Sequence, residues 1–224
     1  MFTRYAIYFT PEGALAEFGA RWLGWDLEAG ASLAHPEVPG VDVEAVTRTP
    51  RKYGLHATIK PPFRLAEGHS AAELEAAAAA FCASQPAVEL DGLQFARIGR
   101  FLALVPEGDV SALAALAGDA VRAFDPFRAP ASDAELAKRR ARGLSPAQEA
   151  NLVAWGYPYV FDEFRFHITL SGSLEPALLA EAEAALAARL TGHLPRPFRI
   201  GTLSLAGERP DGQFQLIQRH PLAG

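Results

Sequence analysis

The stretch Phe166-His167-Ile168-Thr169-Leu170 decides the fold, because it has a twin in Leu55-His56-Ala57-Thr58-Ile59. Each reads apolar-His-x-Thr-apolar. Strict alternation over five residues is the period of a half-buried strand, so in each copy the histidine and threonine share one face while their neighbours enter the core. With six histidines and eight threonines in 224 residues, about 0.2 His-x-Thr triplets arise by chance. Two copies with matching apolar flanks therefore point to a repeated device.

The surroundings of the two copies repeat as well. After the first, Lys60-Pro61-Pro62-Phe63 closes the strand, since prolines donate nothing to a ladder. Ser70 with Glu73 forms a capping box and opens a helix to about Cys82, and strands near 92–98 and 101–105 follow, joined at Gly99-Arg100. After the second copy, Glu175-Pro176 begins an Ala/Leu helix to about Leu190. Strands near 198–205 and 213–218 follow, turned at Asp211-Gly212. His167 lies 111 residues beyond His56, and the same shift lands the first helix and strand pair close to the second. The pattern predicts two similar lobes, about 55–105 and 166–218, related by a pseudo-twofold that places both His-Thr pairs in one central cleft.

Outside the repeat, Tyr5-Ala6-Ile7-Tyr8-Phe9 reads as an opening strand, and Leu15, Phe18, Trp22 and Leu23 mark an amphipathic helix over 14–23. Residues 30–50 carry Pro36, Pro39, Gly40 and Pro50 and read as loop, with one helical turn near 43–46. Between the lobes, about 127–159, the capping boxes Ser132-Asp133-Ala134-Glu135 and Ser145-Pro146-Ala147-Gln148 predict helices over 133–142 and 146–155. The first carries Lys138, Arg139, Arg140 and Arg142. Such a cluster is either a solvated face or a lid whose arginines reach a phosphate-bearing substrate.

Composition narrows the classes. Half the residues are apolar, enough for one substantial bilobed domain over 1–224, and the net charge of −5 argues against a protein that coats duplex nucleic acid. Short RNA or a nucleotide remains compatible with a local basic cleft. The single cysteine, Cys82, allows neither a disulfide framework nor a thiolate cluster. No basic-then-apolar leader and no membrane-length apolar run is present, so a cytoplasmic protein without a membrane partner is expected.

Two histidines and two threonines around a cleft suit chemistry at phosphorus. An imidazole can accept a proton and an imidazolium can donate one at the same pH, because the free pKa lies near 6.5. Placed on opposite sides of a phosphorus centre, one activates water while the other protonates the leaving oxygen. Threonine hydroxyls bond the non-bridging oxygens, and nearby Lys or Arg offsets their charge. This scheme needs no metal and no cofactor. A metal-dependent hydrolase with His56 and His167 as ligands is the competing scheme, with Asp162 and Glu163 nearby but no His-x-His or Glu-x-x-His spacing.

The paired motifs resemble those of the 2H phosphoesterase superfamily. More closely, 53–63, Phe127-Arg128-Ala129-Pro130, Trp155-Gly156-Tyr157-Pro158-Tyr159 and Phe164-Arg165-Phe166-His167-Ile168-Thr169-Leu170 resemble the DUF1045 group, associated with phosphonate-utilisation genes. The resemblance implies an α+β, bilobed fold of two pseudo-symmetric antiparallel sheets with outer helices and a central cleft. It also implies metal-independent hydrolysis of a cyclic or diester phosphate, with His56 and His167 as the acid/base pair and Thr58 and Thr169 as phosphate ligands. The acidic chain favours a small phosphorylated metabolite or nucleotide as substrate. A non-catalytic sensor of the same ligands would use the same cleft.

Several further residues are candidates for substrate binding. Tyr5 is read together with Tyr8 as one face of the first strand, and Tyr53 and Lys60 flank the first motif. Arg165, two residues before His167, is placed on that histidine's face, and Arg128 near the lid. His35, His69, His193 and His220 lack the following threonine and read as surface histidines.

Overall fold

The computed structural model describes residues 1–141 and 143–224, so Arg142 of the basic cluster lies outside the described residues. Its elements in chain order begin with β1 (Arg4–Phe9), α1 (Gly13–Leu23), β2 (Trp25–Asp26), β3 (Ala31–Ser32) and α2 (Val43–Thr47). Next are β4 (Ala57–Phe63), α3 (Ala71–Ser84), β5 (Val88–Leu90), β6 (Gly92–Ile98) and β7 (Phe101–Glu107). Then come α4 (Ser111–Ala123), α5 (Asp133–Arg140) and α6 (Pro146–Trp155), followed by β8 (Ile168–Thr169), α7 (Pro176–Leu190), β9 (Phe198–Ile200), β10 (Thr202–Glu208) and β11 (Phe214–Pro221). All three capping boxes form, at Ser70, Ser132 and Ser145. Among the described residues no helix is long and apolar enough to cross a membrane.

The fold is α+β, and its long strands form one antiparallel sheet in the order β11-β10-β1-β4-β8-β7-β6. The two sheets expected from the repeat are its two halves, joined where Ala57 pairs with Ile168. Each joining residue directly follows a motif histidine. Outward from this joint the order is β4-β1-β10 on one side and β8-β7-β6 on the other, so pairing is symmetrical about it. In chain order β1, β4 and β6 correspond to β7, β8 and β10. The repeat thus starts one strand earlier than the motif, and each unit lends its last strand to the opposite half. Helix α3 packs over β10 and β11 and α7 over β6 and β7, while β5 pairs with β9.

Alternation along the strands sorts side chains between two faces. Ile7, Phe9, Ala57, Ile59, Ile168, Leu170, Leu203 and Leu205 enter the main core beneath α1, α3, α4 and α7. Trp22, fully buried, donates its indole N–H to the Leu170 carbonyl at 2.8 Å, tying α1 to the end of the second motif. On the other face, Ala6, Tyr8, Ala206 and Phe214 form a smaller cluster. Tyr5 packs with the main core, so it does not share a face with Tyr8: three residues apart, the two point oppositely in a period of two. His220 is also buried rather than a surface histidine.

The strand β4 corrects two expectations. It runs through Pro61 and Pro62 to Phe63 instead of stopping before them. Beyond Ala57 the short β8 no longer pairs with β4, so the missing proline N–H groups leave that side of the ladder intact. Register with β1 also jumps, from Tyr8 opposite Thr58 to Ile7 opposite Lys60. The extra residue is a bulge, and it turns Lys60 from the motif's face into the core. Lys60 is 2% exposed; its ammonium donates to the Val121 carbonyl at 3.0 Å and to Asp125 Oδ1 at 3.4 Å. Burial pushes its pKa down to about 8, against the opposing attraction of Asp125. Lys60 is therefore a structural cation rather than a phosphate ligand.

Asp125 also accepts from Arg128 Nε at 2.8 Å and Nη2 at 3.3 Å, so two cations share one carboxylate. Removing the shared partner leaves both uncompensated. Asp125→Ala is expected to destabilise by about 3–5 kcal/mol and Lys60→Met by less than about 1.5 kcal/mol, measured by urea unfolding. Between the folded pKa of about 8 and the unfolded value near 10.5 the unfolded chain binds more protons, so stability relative to Lys60→Met should rise with pH across that window.

Candidate active site

Both motif histidines sit one residue ahead of their strands and are held by the same device. His56 Nδ1 lies 2.9 Å from the Gly54 carbonyl, and His167 Nδ1 lies 2.8 Å from the Arg165 carbonyl. A carbonyl only accepts, so Nδ1 carries the proton in each ring and Nε2 carries the lone pair, which in His56 accepts from the Thr58 hydroxyl. Each acceptor is the residue two before its histidine. On the first side, the 3-10 turn Arg51–Tyr53 ends at Gly54, whose φ of 67° is left-handed. A Cβ there would lie 2.7 Å from Leu27 Cβ, so glycine is required both by conformation and by space. On the second side, the 3-10 turn Phe161–Glu163 leads in, with Phe161 held at φ 54° against Trp155 and Arg122.

The two rings differ in surroundings. His56 Nε2 is 3.2 Å from Thr58 Oγ1, and its ring lies 3.9 Å from the Tyr8 ring at a 32° tilt, with Tyr53 at 5.9 Å. Burial pushes the His56 imidazole down to about 4; the Gly54 bond opposes this and the charge of His167 adds to it. His167 is more open, with Phe101 5.8 Å from its ring. Tyr8 is fully buried, which holds its phenol well above the usual range and hence neutral.

His56, Thr58 and Thr169 line one cavity of about 420 Å³; His167 is not among its lining residues, but Phe101, whose ring lies 5.8 Å from the His167 ring, is. This volume suits a small molecule. Two arginines, Arg4 and Arg139, border it, and no carboxylate does so among the described residues. In a chain of net charge −5 that is a local bias toward anions, tempered where Glu208 pairs with Arg4. Another cavity, at the start of α1, is bordered by the four carboxylates of Glu12, Glu17, Asp26 and Glu28 and by one arginine, Arg219. Among the described residues no three His, Cys, Asp or Glu side chains cluster in a way that could hold a metal ion.

Of the other expected binding residues, Tyr53 alone borders the cavity. Tyr5 and Lys60 face the core, for the reasons of alternation and bulge given above. Arg165 precedes the two-residue strand β8, so strand alternation does not reach it. Its guanidinium donates to the Asp162 and Phe164 carbonyls, and its contribution is the backbone carbonyl under His167. Arg128 pairs with Asp125 and donates to the Ala154 carbonyl at 3.2 Å, fastening the end of α6 instead of facing the cavity.

Residues that sequence reasoning passed over include Arg4, Thr49, Ser171 and Ser173. Arg4 shares the Tyr8 face by simple alternation. Gly172 and Ser173 occupy the positions reached from Pro61 and Pro62 by the 111-residue shift, and all four border the cavity. The repeat therefore held that signal. Thr49 comes from the loop before the first motif, where no periodicity marks it.

Comparison with known proteins is consistent across most of the chain. Residues 58–215 match the family described as "Protein of unknown function (DUF1045)". Two relatives carry the name "Ribose 1,5-bisphosphate phosphokinase PhnN". The one from Janthinobacterium sp. (strain Marseille) is 38% identical over 235 aligned positions, covering 99% of this chain and 51% of that protein. The one from Laribacter hongkongensis (strain HLHK9) is 36% identical over 198, covering 87% and 46%. The chain thus spans about half the length of the curated relatives it matches. Among solved structures, one titled as a phosphoesterase aligns with TM-score 0.46 at 14% identity, covering 100% of each chain. E. coli LigT with NADP+ aligns with TM-score 0.43 at 16% identity, covering 100% of this chain and 99% of that one. With the family match spanning well over half its length, the chain belongs to the DUF1045 family.

Proposed function

We propose that this chain is a metal-independent phosphoesterase that opens a cyclic phosphodiester on a small metabolite, with His56 and His167 as the proton-transfer pair. The observation that carries the reading is one cavity, without a carboxylate among the described residues, bordered by His56 and both motif threonines, with both imidazoles tautomerically set by a carbonyl two residues upstream. In this reading residues 1–224 act as one bilobed unit and 127–159 as its lid.

The roles follow from burial. A histidine whose pKa is about 4 is neutral at physiological pH, so His56 Nε2 takes a proton from water. The water oxygen bonds to phosphorus in line with the leaving oxygen, the ester bond to that oxygen breaks, and His167 as imidazolium supplies its proton. Thr58, whose hydroxyl turns from His56 Nε2 to the substrate, and Thr169 donate to the non-bridging oxygens, in a cavity that Arg4 and Arg139 also border.

The relatives' name supports a substrate. A ring-opening hydrolysis of 5-phosphoribosyl 1,2-cyclic phosphate would deliver ribose 1,5-bisphosphate, the compound on which those double-length proteins are named to act. The named kinase step itself fits this chain poorly. Each of its three lysines follows Arg51, Ile59 or Ala137, so a Gly-Lys phosphate loop is missing from the sequence.

Turnover of a panel of ribosyl and nucleoside cyclic phosphates, with chelator present, tests the reading. His56→Ala and His167→Ala should each lose about 10²–10⁴-fold in kcat with the fold retained, and Thr58→Val or Thr169→Val about 10–100-fold. Tight binding with no turnover of any member would replace the hydrolase with a sensor. The base must be unprotonated, so kcat/KM should climb as pH rises through about 4 and be level on that limb by pH 6. A base limb centred near 6.5 would contradict the assignment of His56. Gly54→Ala, which displaces the carbonyl under His56 Nδ1, should lower kcat by about tenfold or more; unchanged kcat with a normal melting curve would remove that carbonyl from the mechanism.

A further inference from the structure

Tyr8 has no part in the proton transfers, yet it is fully buried at the border of the reacting cavity. Strand β1 places it opposite Thr58 of β4, and its ring lies 3.9 Å from the His56 ring at a 32° tilt. It therefore stands beside both side chains of the first motif. The stack itself needs no hydroxyl: a phenylalanine would pack in the same way against His56 and against Phe214, whose ring is 5.9 Å away.

The hydroxyl is what calls for a reason. Among the described residues its oxygen has no hydrogen-bond partner, although it is closed off from solvent. A buried donor left unpaired costs stability, and nearly all such groups in folded proteins are paired. Neighbouring hydroxyls in the wall are engaged. Thr58 Oγ1 lies 3.2 Å from His56 Nε2, and Ser171 Oγ accepts from the Leu102 N–H and donates to the Gly172 carbonyl, each at 2.9 Å. The other buried, unpartnered side-chain atoms among the described residues, His193 Nδ1, Arg219 Nε and His220 Nε2, belong to residues that do not border this cavity. Burial also keeps the Tyr8 phenol protonated, so it has a hydrogen to give. With no carboxylate in the wall among the described residues, the acceptor that suits it is an anionic oxygen from outside the chain.

We infer that the Tyr8 hydroxyl is a further phosphate ligand, donating beside Thr58 to a non-bridging oxygen of the substrate. The inference rests on the phosphoesterase reading above and adds to it a residue that carries no motif. Tyr53, half-buried at the border of the same cavity, lies 5.9 Å from the His56 ring and 5.1 Å from that of Phe214, the two rings that also flank Tyr8. It is the side chain that gives way when a ligand reaches the hydroxyl. The fold leaves one hydrogen bond unmade and the ligand completes it, so stability is exchanged for affinity at a single atom.

The test titrates inorganic phosphate by calorimetry into wild type, Tyr8→Phe and Thr58→Val, with melting curves taken in its absence. Turnover of the cyclic phosphates reads the two-histidine mechanism, whereas phosphate affinity reads Tyr8 whether or not any ester is hydrolysed. Tyr8→Phe keeps the ring and removes the unpaired group, so it should melt about 2–4 °C above wild type. It should also bind phosphate about tenfold or more weakly, and Thr58→Val should weaken binding too, which locates the ion at the motif. Equal phosphate affinity in wild type and Tyr8→Phe overturns the inference even if the esters are hydrolysed. So does phosphate binding that Thr58→Val leaves unchanged, or a wild type that binds no phosphate at millimolar concentration. A Tyr8→Phe protein that melts below wild type overturns it as well, because the hydroxyl would then be bonded within the fold.

Discussion

The site depends on one strand contact, the pairing of Ala57 with Ile168 at the centre of the sheet. Each of these small stretches is the step after a histidine, so joining them brings two imidazoles that are 111 residues apart in the chain to one place. The contact is short because β8 has two residues. A longer ladder would draw the neighbouring backbone into the sheet and consume the Gly54 and Arg165 carbonyls that now hold the rings. Trp22, bonded to the Leu170 carbonyl, and Ser171, whose hydroxyl accepts from the Leu102 N–H at 2.9 Å, secure the far side of the same short strand.

Charge is arranged around this centre by pairing carboxylates elsewhere. Glu208 answers Arg4, Asp125 answers Lys60 and Arg128, Glu135 answers Arg64, and Glu149 answers Arg140. The cavity is left without a carboxylate among the described residues, although acidic side chains outnumber basic ones in the chain, 26 to 21. Its described lining offers hydroxyls, the His56 imidazole and guanidinium groups, and no like charge that an anion would have to displace. Net charge describes the exterior of this protein and misleads about its pocket.

Interleaving of the two units gives the arrangement its rigidity. Because β6 and β10 each finish the half opened by the other unit, neither half can form its sheet from its own segment. The helices bridge the units too, with α3 covering β10 and β11 and α7 covering β6 and β7. The relative position of His56 and His167 is therefore set by the whole sheet and not by a hinge between two independent pieces.

The sequence by itself determined the local elements: the capping boxes at Ser70, Ser132 and Ser145, helix α6 to the residue, and two His-Thr pairs destined for one place. These follow from short-range rules of period, capping and turn chemistry, which a chain states in its own letters. Tertiary structure decided the rest. A bulge carried Lys60 into the core, a two-residue strand took Arg165 out of register with His167, and the pairing of Asp125 drew Arg128 away from the cavity. It also brought Arg4 and the loop residue Thr49 to the site from stretches that carry no motif. Where a side chain points depends on register, and register is set by partners far away in the chain; periodicity supplies the alternation but not the position at which it breaks.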